Sequence, residues 1–227
     1  MIQCRIVLKD IKDLYGHEQV VRPQVDFLKD NLKRLGYFFR PILIVKNYNV
    51  VLDGHHRVHA LQEMGGVRIP CIEIDYLDNP EITLATWYPI YTGEAYDFHA
   101  SLQGMSIEAK AIDVIDNNTF DDPQYGFALH SKSGNWLLKG SQQELYKKFL
   151  AEYDSGKFEY VKTFDYAYAS VRKQYASFTL LRKTLTKQDV INTARSGNVY
   201  APKTTRHILT FRYQDIKVPM NALIDKK

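Results

Sequence analysis

The sequence predicts a mixed α/β fold, and three observations carry that reading. Short β-branched runs such as Pro41 to Lys46 and Arg68 to Asp75 alternate with helical patterns through about the first 90 residues. Val25, Leu28, Leu32 and Leu35 recur at the spacing of one helix face. The chain has 227 residues, 45% of them apolar and 25% charged, which leaves enough interior for a real core.

Taken in order, Ile2 to Leu8 reads as a short strand, followed by the loop Asp13 to Gln19. Arg22 to Leu35 is helical, with Pro23 in its first turn and Gly36 as its stop. The run Pro41 to Lys46 is a strand. Asn47-Tyr48-Asn49 turns the chain into a second one, Val50 to Leu52. Asp53-Gly54 breaks the pattern, and His55 to Met64 forms a helix closed by Gly65-Gly66. A strand over Arg68 to Asp75 follows, then another over Ile82 to Tyr88 that ends at Pro89.

Beyond a boundary near Tyr91–Gly93 the reading gives a helix around Glu94 to Gln103. Strands near Ala109–Ile115, Tyr125–His130 and Asn135–Leu138 come next, then a helix from Gln142 to Tyr153. Asp165 to Lys173 is ambiguous, and Phe178 to Arg182 is a strand. Thr186 caps a helix with Asp189 in its first turn, running to Arg195 and stopping at Gly197. Ala201 to Phe211 is unusual for a loop because Lys203, Thr204, Thr205, Arg206 and His207 crowd together there.

Composition narrows the function. Thirty basic and 26 acidic residues give a net charge of +4, a bias that permits anionic ligands. There is no run of five basic residues, so the charge does not argue for a nucleic-acid stripe; DNA stays a partner that the sequence permits but does not favour. Cys4 and Cys71 lie far apart in apolar runs, so they read as buried, inert thiols and not as a disulfide or zinc framework. The 16 tyrosines mostly fill core edges. No leader-like apolar region opens the chain and no stretch approaches the ~18 apolar residues of a membrane span, so the expectation is a cytoplasmic protein without membrane contact. The closing Asp225-Lys226-Lys227 soon after a plausible helix is compatible with a truncated tail.

Four constellations can carry chemistry. Asp53-Gly54-His55-His56-Arg57 lies between a strand and a helix, where free amides, the positive helix end, a glycine and cationic donors suit a phosphate. Lys203-Thr204-Thr205-Arg206-His207 offers two cations, two hydroxyls and an imidazole, suited to a carboxylate or phosphate. Glu18 is a loop carboxylate beside a helix. Thr86-Trp87-Tyr88-Pro89 puts an aromatic at a strand end, where it shelves a ligand or fills core.

Together these resemble a known family. Val51 to Arg57, with Ala60-Leu61 after it, is similar to the phosphate-binding motif of the ParB/sulfiredoxin superfamily. Four segments match, in the same order, the free L-serine kinases built on that fold, which include an archaeal ADP-dependent kinase and the SbnI-type kinase of staphyloferrin B siderophore clusters. They are His17-Glu18-Gln19, Asp53 to Arg57, Thr86 to Pro89 and Pro202 to His207. The match is thin between Gly104 and Thr184.

The resemblance implies a ParB/sulfiredoxin-like nucleotide-binding domain over residues 1–92 and a C-terminal α/β domain over 93–227 that completes the serine site. It implies phosphate transfer from ATP or ADP to serine, giving O-phospho-L-serine for siderophore (2,3-diaminopropionate) or cysteine biosynthesis. Glu18 is the expected base. Gly54, His55, His56 and Arg57 would hold the nucleotide, with His55 and Asp53 in the chemistry and Asp53 also orienting Mg2+. Trp87, Lys203, Thr204, Thr205, Arg206 and His207 would take serine. A dimer is compatible with the sequence.

Two rival readings remain: a ParB-like DNA-binding regulator, and a ligand or haem sensor. Neither finds support in a helix-turn-helix signature or in the spacing of histidines and cysteines. A sulfiredoxin-like reductase would need a cysteine where His55 stands.

Overall fold

The structure is a computed structural model and describes residues 6–95, 97–116, 118–211 and 215–224. In chain order its elements begin with β1 (Ile6–Asp10), α1 (Arg22–Leu35), β2 (Tyr37–Phe38), β3 (Ile42–Val45), β4 (Val51–Asp53), α2 (His55–Glu63), β5 (Arg68–Ile74) and β6 (Ile82–Ala85). They continue with β7 (Tyr88–Tyr91), α3 (Phe98–Gly104), β8 (Ala109–Ile112), β9 (Tyr125–Ser131), β10 (Gly134–Lys139) and α4 (Gln142–Glu152). The last are β11 (Phe158–Val161), α5 (Phe164–Arg172), β12 (Phe178–Leu181), α6 (Lys187–Arg195), β13 (Arg206–Leu209) and β14 (Val218–Pro219). Cys4 and the first residues of the expected opening strand lie outside the described residues, as does the tail Asp225 to Lys227.

A single cut near residue 92 is not how the chain packs. One compact unit is Met1–Ala85 with Leu185–Pro202 and His207–Lys227; the other is Thr86–Thr184 with Lys203–Arg206. The chain returns to the first unit because α6 has an apolar face to bury there.

In the first unit a four-stranded sheet runs in the order β1-β5-β3-β4. β3 pairs parallel to β5, and the other neighbours are antiparallel. Side chains alternate across a strand, so β3 feeds two cores. Ile42 and Ile44 pack with Val25, Leu32, Val58 and Leu61 from α1 and α2. Leu43 and Val45 pack with Val190, Ile191 and Ala194 of α6. Burial on both faces explains the uninterrupted Ile-Leu-Ile-Val run.

Helix α1 ends at Gly36, whose φ of +71° supplies the left-handed cap, while its amide donates to the Leu32 carbonyl. Thr186 and Asp189 form a full capping box on α6. Lys187 Nζ then donates to the carbonyls of Tyr76 and Asn79 at 2.9 and 2.8 Å, fixing the start of α6 to the turn after β5.

The second unit is a six-stranded antiparallel sheet ordered β11-β7-β12-β9-β10-β8. α5 covers one face through Ala167 and Val171, against Tyr88, Ile90 and Leu181. The other face is aromatic, where Tyr91 stacks on Phe178 with centroids 5.0 Å apart and Phe149 and Phe158 close in.

Several expectations change here. The single strand over Ile82 to Tyr88 is two strands, broken at Thr86-Trp87, and Pro89 sits inside β7 instead of ending a strand. Proline lacks an amide donor, but its carbonyl is used: Thr179 Oγ1 donates to it at 2.9 Å. The helix expected from Glu94 starts at Phe98, capped by the Asp97 side chain. The ambiguous Asp165–Lys173 segment is α5, capped by Thr163. The strand from Ala109 stops at Ile112. Within the odd segment Ala201 to Phe211, residues 206–209 form β13, paired with β6.

Candidate active site

The turn between β4 and α2 is built around Gly54, whose φ is +107°. A Cβ there would stand 2.6 Å from Ile42 Cγ2 and 3.0 Å from Arg57 Nη2, so only glycine fits. Glycine also leaves α2 without a side-chain cap at its start. The first-turn amides of a nine-residue helix are thus presented with the positive end of its dipole, the arrangement that receives phosphates.

Arg57 braces this turn. Its Nη1 donates to the carbonyls of Arg40 and Pro41 at 2.8 and 2.7 Å, and its Nη2 pairs with Asp53 Oδ2 at 2.6 Å. The guanidinium therefore fixes the shape of the turn between β4 and α2.

The two histidines that follow Gly54 take a role their positions in the sequence do not announce. The His17 amide donates to His55 Nε2 at 3.2 Å, and the Val21 amide donates to His56 Nε2 at 3.0 Å. These two bonds bracket Glu18 and tie its loop to the first residues of α2. Each ring accepts at Nε2, so the neutral tautomer carries its proton on Nδ1.

The same loop lies along the outer edge of β4. Tyr15 donates to the Asn49 carbonyl at 3.0 Å and accepts from the Val51 amide at 2.9 Å, while His17 Nδ1 donates to the Val51 carbonyl at 2.7 Å. On its other side the Tyr200 amide donates to the His17 carbonyl at 2.8 Å, and the Gln19 amide donates to the Tyr200 carbonyl at 2.9 Å. Glu18 and Tyr200 form an isolated bridge. The carboxylate's backbone is thereby held from both sides.

His207 joins this buried group. Its ring centroid is 5.7 Å from that of His17, and its Nε2 meets the Tyr76 hydroxyl at 2.8 Å. Burial lowers the pKa of His17 to about 4 and that of His207 to about 3. His55 is pushed well below its ordinary value by desolvation, reinforced by the neighbouring imidazoles. The cluster is therefore neutral at pH 7.

A cavity of about 500 Å³ opens beside this turn, with Leu28, Leu32, Phe38 and Phe39 as apolar wall and Gly54 and His56 among its polar lining. Its size and mixed lining suit a small organic ligand such as a nucleoside beside the first-turn amides of α2.

The second unit holds the remaining expected residues except His207. Trp87 is flanked by two cations, Lys203 Nζ at 5.7 Å and the Arg206 guanidinium carbon at 5.5 Å from its ring centroid. Thr204 and Thr205 are buried, and Lys203 adopts a left-handed φ of +63°. The Thr86 hydroxyl donates to the Thr204 carbonyl at 2.6 Å. Arg206 Nε is buried and has no hydrogen-bond partner among the described residues, which suits an incoming anion.

Magnesium is normally held by one or two carboxylates together with phosphate oxygens and water. Among the described residues no group of three or more His, Cys, Asp or Glu side chains converges on a metal position. Asp53, with its side chain 48% exposed at the turn before α2, is a carboxylate that would suit such a metal.

Sequence reasoning missed the acceptor role of His55 and His56, the clamp by Tyr200, the apolar wall on α1 and β2, and buried Arg182. No local signal marks any of them. Cys71 meets the expectation of an inert thiol: it is buried, and desolvation pushes its pKa up to about 12. No described helix is long and apolar enough to cross a membrane.

No family model matches the chain. It is 30% identical to an ATP-dependent L-serine kinase of Staphylothermus marinus, over 96% of this chain and 90% of that protein. It is 28% identical to the ADP-dependent L-serine kinase SerK of Thermococcus kodakarensis, over 96% of this chain and 92% of that one. Among solved structures it resembles a free serine kinase with a glutamate replaced by alanine, in complex with ADP. There the TM-score is 0.83 and the identity 26%, over 96% of this chain and 94% of the other. A likeness this even along the chain, joined to a glycine-built helix start and a tethered Glu18 loop, shows that the chain belongs to the free L-serine kinase family.

Proposed function

We propose that this protein transfers a phosphate from ATP or ADP to the hydroxyl of free L-serine, giving O-phospho-L-serine. The observation that carries the reading is the pair of hydrogen bonds from the amides of residues 17 and 21 to His55 and His56, which sets the Glu18 loop at the start of α2. Kinase relatives along nearly the whole chain support it.

Serine's hydroxyl is a weak nucleophile at neutral pH and needs a base as the bond to phosphorus forms. Glu18 takes that proton. The serine oxygen bonds to the terminal phosphorus, and the bond from phosphorus to its bridging oxygen breaks, leaving ADP from ATP or AMP from ADP. The amides of residues 54–57 hold the phosphates, and Arg57 keeps their loop in shape. His55 and His56 keep Glu18 in register with those amides, and His207 anchors the end of the Lys203–His207 segment. Asp53 would hold a magnesium ion carried in with the nucleotide, and that ion would supply neutralisation of phosphate charge. Lys203, Thr204, Thr205 and Arg206 take the serine carboxylate, with Trp87 as a wall. Pairing both charged ends of a small substrate gives selectivity, because an analogue lacking one end leaves protein groups unsatisfied.

The test is a product assay with serine, magnesium and each nucleotide in turn, read by mass spectrometry. O-phosphoserine is expected with at least one donor. Glu18→Gln should still bind nucleotide in calorimetry while turnover falls about 10²- to 10⁴-fold. Near-normal product from that variant would remove Glu18 from the chemistry.

A further inference from the structure

Arg182 follows β12 directly and is 3% exposed, yet no part of the proposed chemistry uses it. Its guanidinium is aimed at two chain segments far away in sequence. Nε donates to Thr86 Oγ1 at 3.1 Å and Nη1 to Thr204 Oγ1 at 3.2 Å. Nη2 donates to the carbonyls of Trp87 and Lys203, both at 2.6 Å. The guanidinium carbon lies over Phe127, 5.6 Å from the ring centroid. One planar fork therefore binds both strips that carry the proposed serine-binding residues, Thr86-Trp87 and Lys203-Thr204.

The chain itself does not favour what this fork enforces. Lys203 is held at φ +63°, a left-handed conformation costly for a residue with a side chain. That turn leaves Lys203 Nζ 5.7 Å and the Arg206 guanidinium carbon 5.5 Å from the Trp87 ring centroid, with Arg206 Nε buried and unpaired among the described residues. Two cations gathered at one ring repel each other until an anion joins them. A strong internal brace is what keeps such a receptor assembled while empty.

We propose that Arg182 is a positioning residue for substrate selection, pre-assembling the receptor for the amino-acid carboxylate without touching the substrate. The inference rests on the assignment of Trp87 and Lys203 to Arg206 as the serine site. Lysine cannot replace this arginine, because an ammonium with three donors on a point-like centre cannot serve four acceptors drawn from two chain segments.

The experiment measures O-phosphoserine formation by wild type, Arg182→Lys and Thr86→Val, varying serine and nucleotide separately. In Arg182→Lys the serine KM should rise about tenfold or more, as expected for the loss of hydrogen bonds to a charged group, with the nucleotide KM near its wild-type value. Preference for serine over ethanolamine, which lacks the carboxylate, should fall by a similar factor. Thr86→Val keeps the volume and removes only the hydroxyl, so its serine KM should rise by roughly three- to tenfold. It decides the matter where Arg182→Lys is unfolded at the assay temperature. A merely structural arginine would lower the melting temperature and leave serine KM and the serine-to-ethanolamine preference unchanged; that result in a folded variant overturns the proposal. Absence of O-phosphoserine from wild type would instead overturn the kinase reading on which it rests.

Discussion

Replacing Gly54 by alanine tests the physical basis of the turn between β4 and α2. Two costs add. A residue with a Cβ pays about 1–2 kcal/mol in the left-handed region, and Gly54 sits at φ +107°. The new methyl would also press to 2.6 Å from Ile42 Cγ2, a side chain buried in the sheet, where overpacking costs about 1–3 kcal/mol. The expected loss is therefore about 2–5 kcal/mol, or roughly 4–20 °C in melting temperature for a chain of this size.

Gly36→Ala separates the two costs. Gly36 has φ +71° but nothing within 4 Å of its would-be Cβ, so it carries the conformational cost alone. Gly104→Ala, with open space and no positive φ, should be neutral or slightly stabilising. Thermal melts of the three variants should rank Gly54→Ala lowest, Gly36→Ala next and Gly104→Ala at wild type. Nucleotide affinity by calorimetry should fall only in the first, because only there do the amides of α2 shift. A Gly54→Ala protein that melts no lower than Gly36→Ala would refute the steric reasoning.

Acid should weaken the fold through its buried imidazoles. His17 titrates near 6.5 when unfolded and at about 4 when folded, so between those values the unfolded chain binds more protons and stability declines as pH falls. At about 1.4 kcal/mol per pH unit this one group removes roughly 3 kcal/mol by pH 4, and His207 acts in the same direction. Urea midpoints at pH 7 and pH 5 check it, and a midpoint that holds or rises on acidification contradicts it. Thr186→Ala removes the cap of α6, whose face closes one of the two cores beside β3, and should cost about 1 kcal/mol or ~2–4 °C in melting temperature. An unchanged melt would mean that the box contributes nothing.

The features legible in the sequence were those governed by forces acting over one helical turn or one strand. The apolar spacing and Gly36 gave α1 its limits at Arg22 and Leu35, and Thr186 with Asp189 announced α6. Gly54 after Asp53 marked the turn from strand to helix, because a glycine there is demanded by local backbone geometry. What the tertiary structure decided involves partners that local rules cannot name. Pro89 lies inside a strand because Thr179, 90 residues later, supplies a donor to its carbonyl. His55 and His56 look like phosphate donors in a one-dimensional reading, yet their Nε2 atoms accept the amides of residues 17 and 21, 38 and 35 positions away. Arg182 carries no motif at all, and its meaning appears only when Thr86, Trp87, Lys203 and Thr204 arrive around it. Propensity and capping depend on neighbours in the chain, whereas a buried ring nitrogen or guanidinium is defined by whichever groups the fold brings to it.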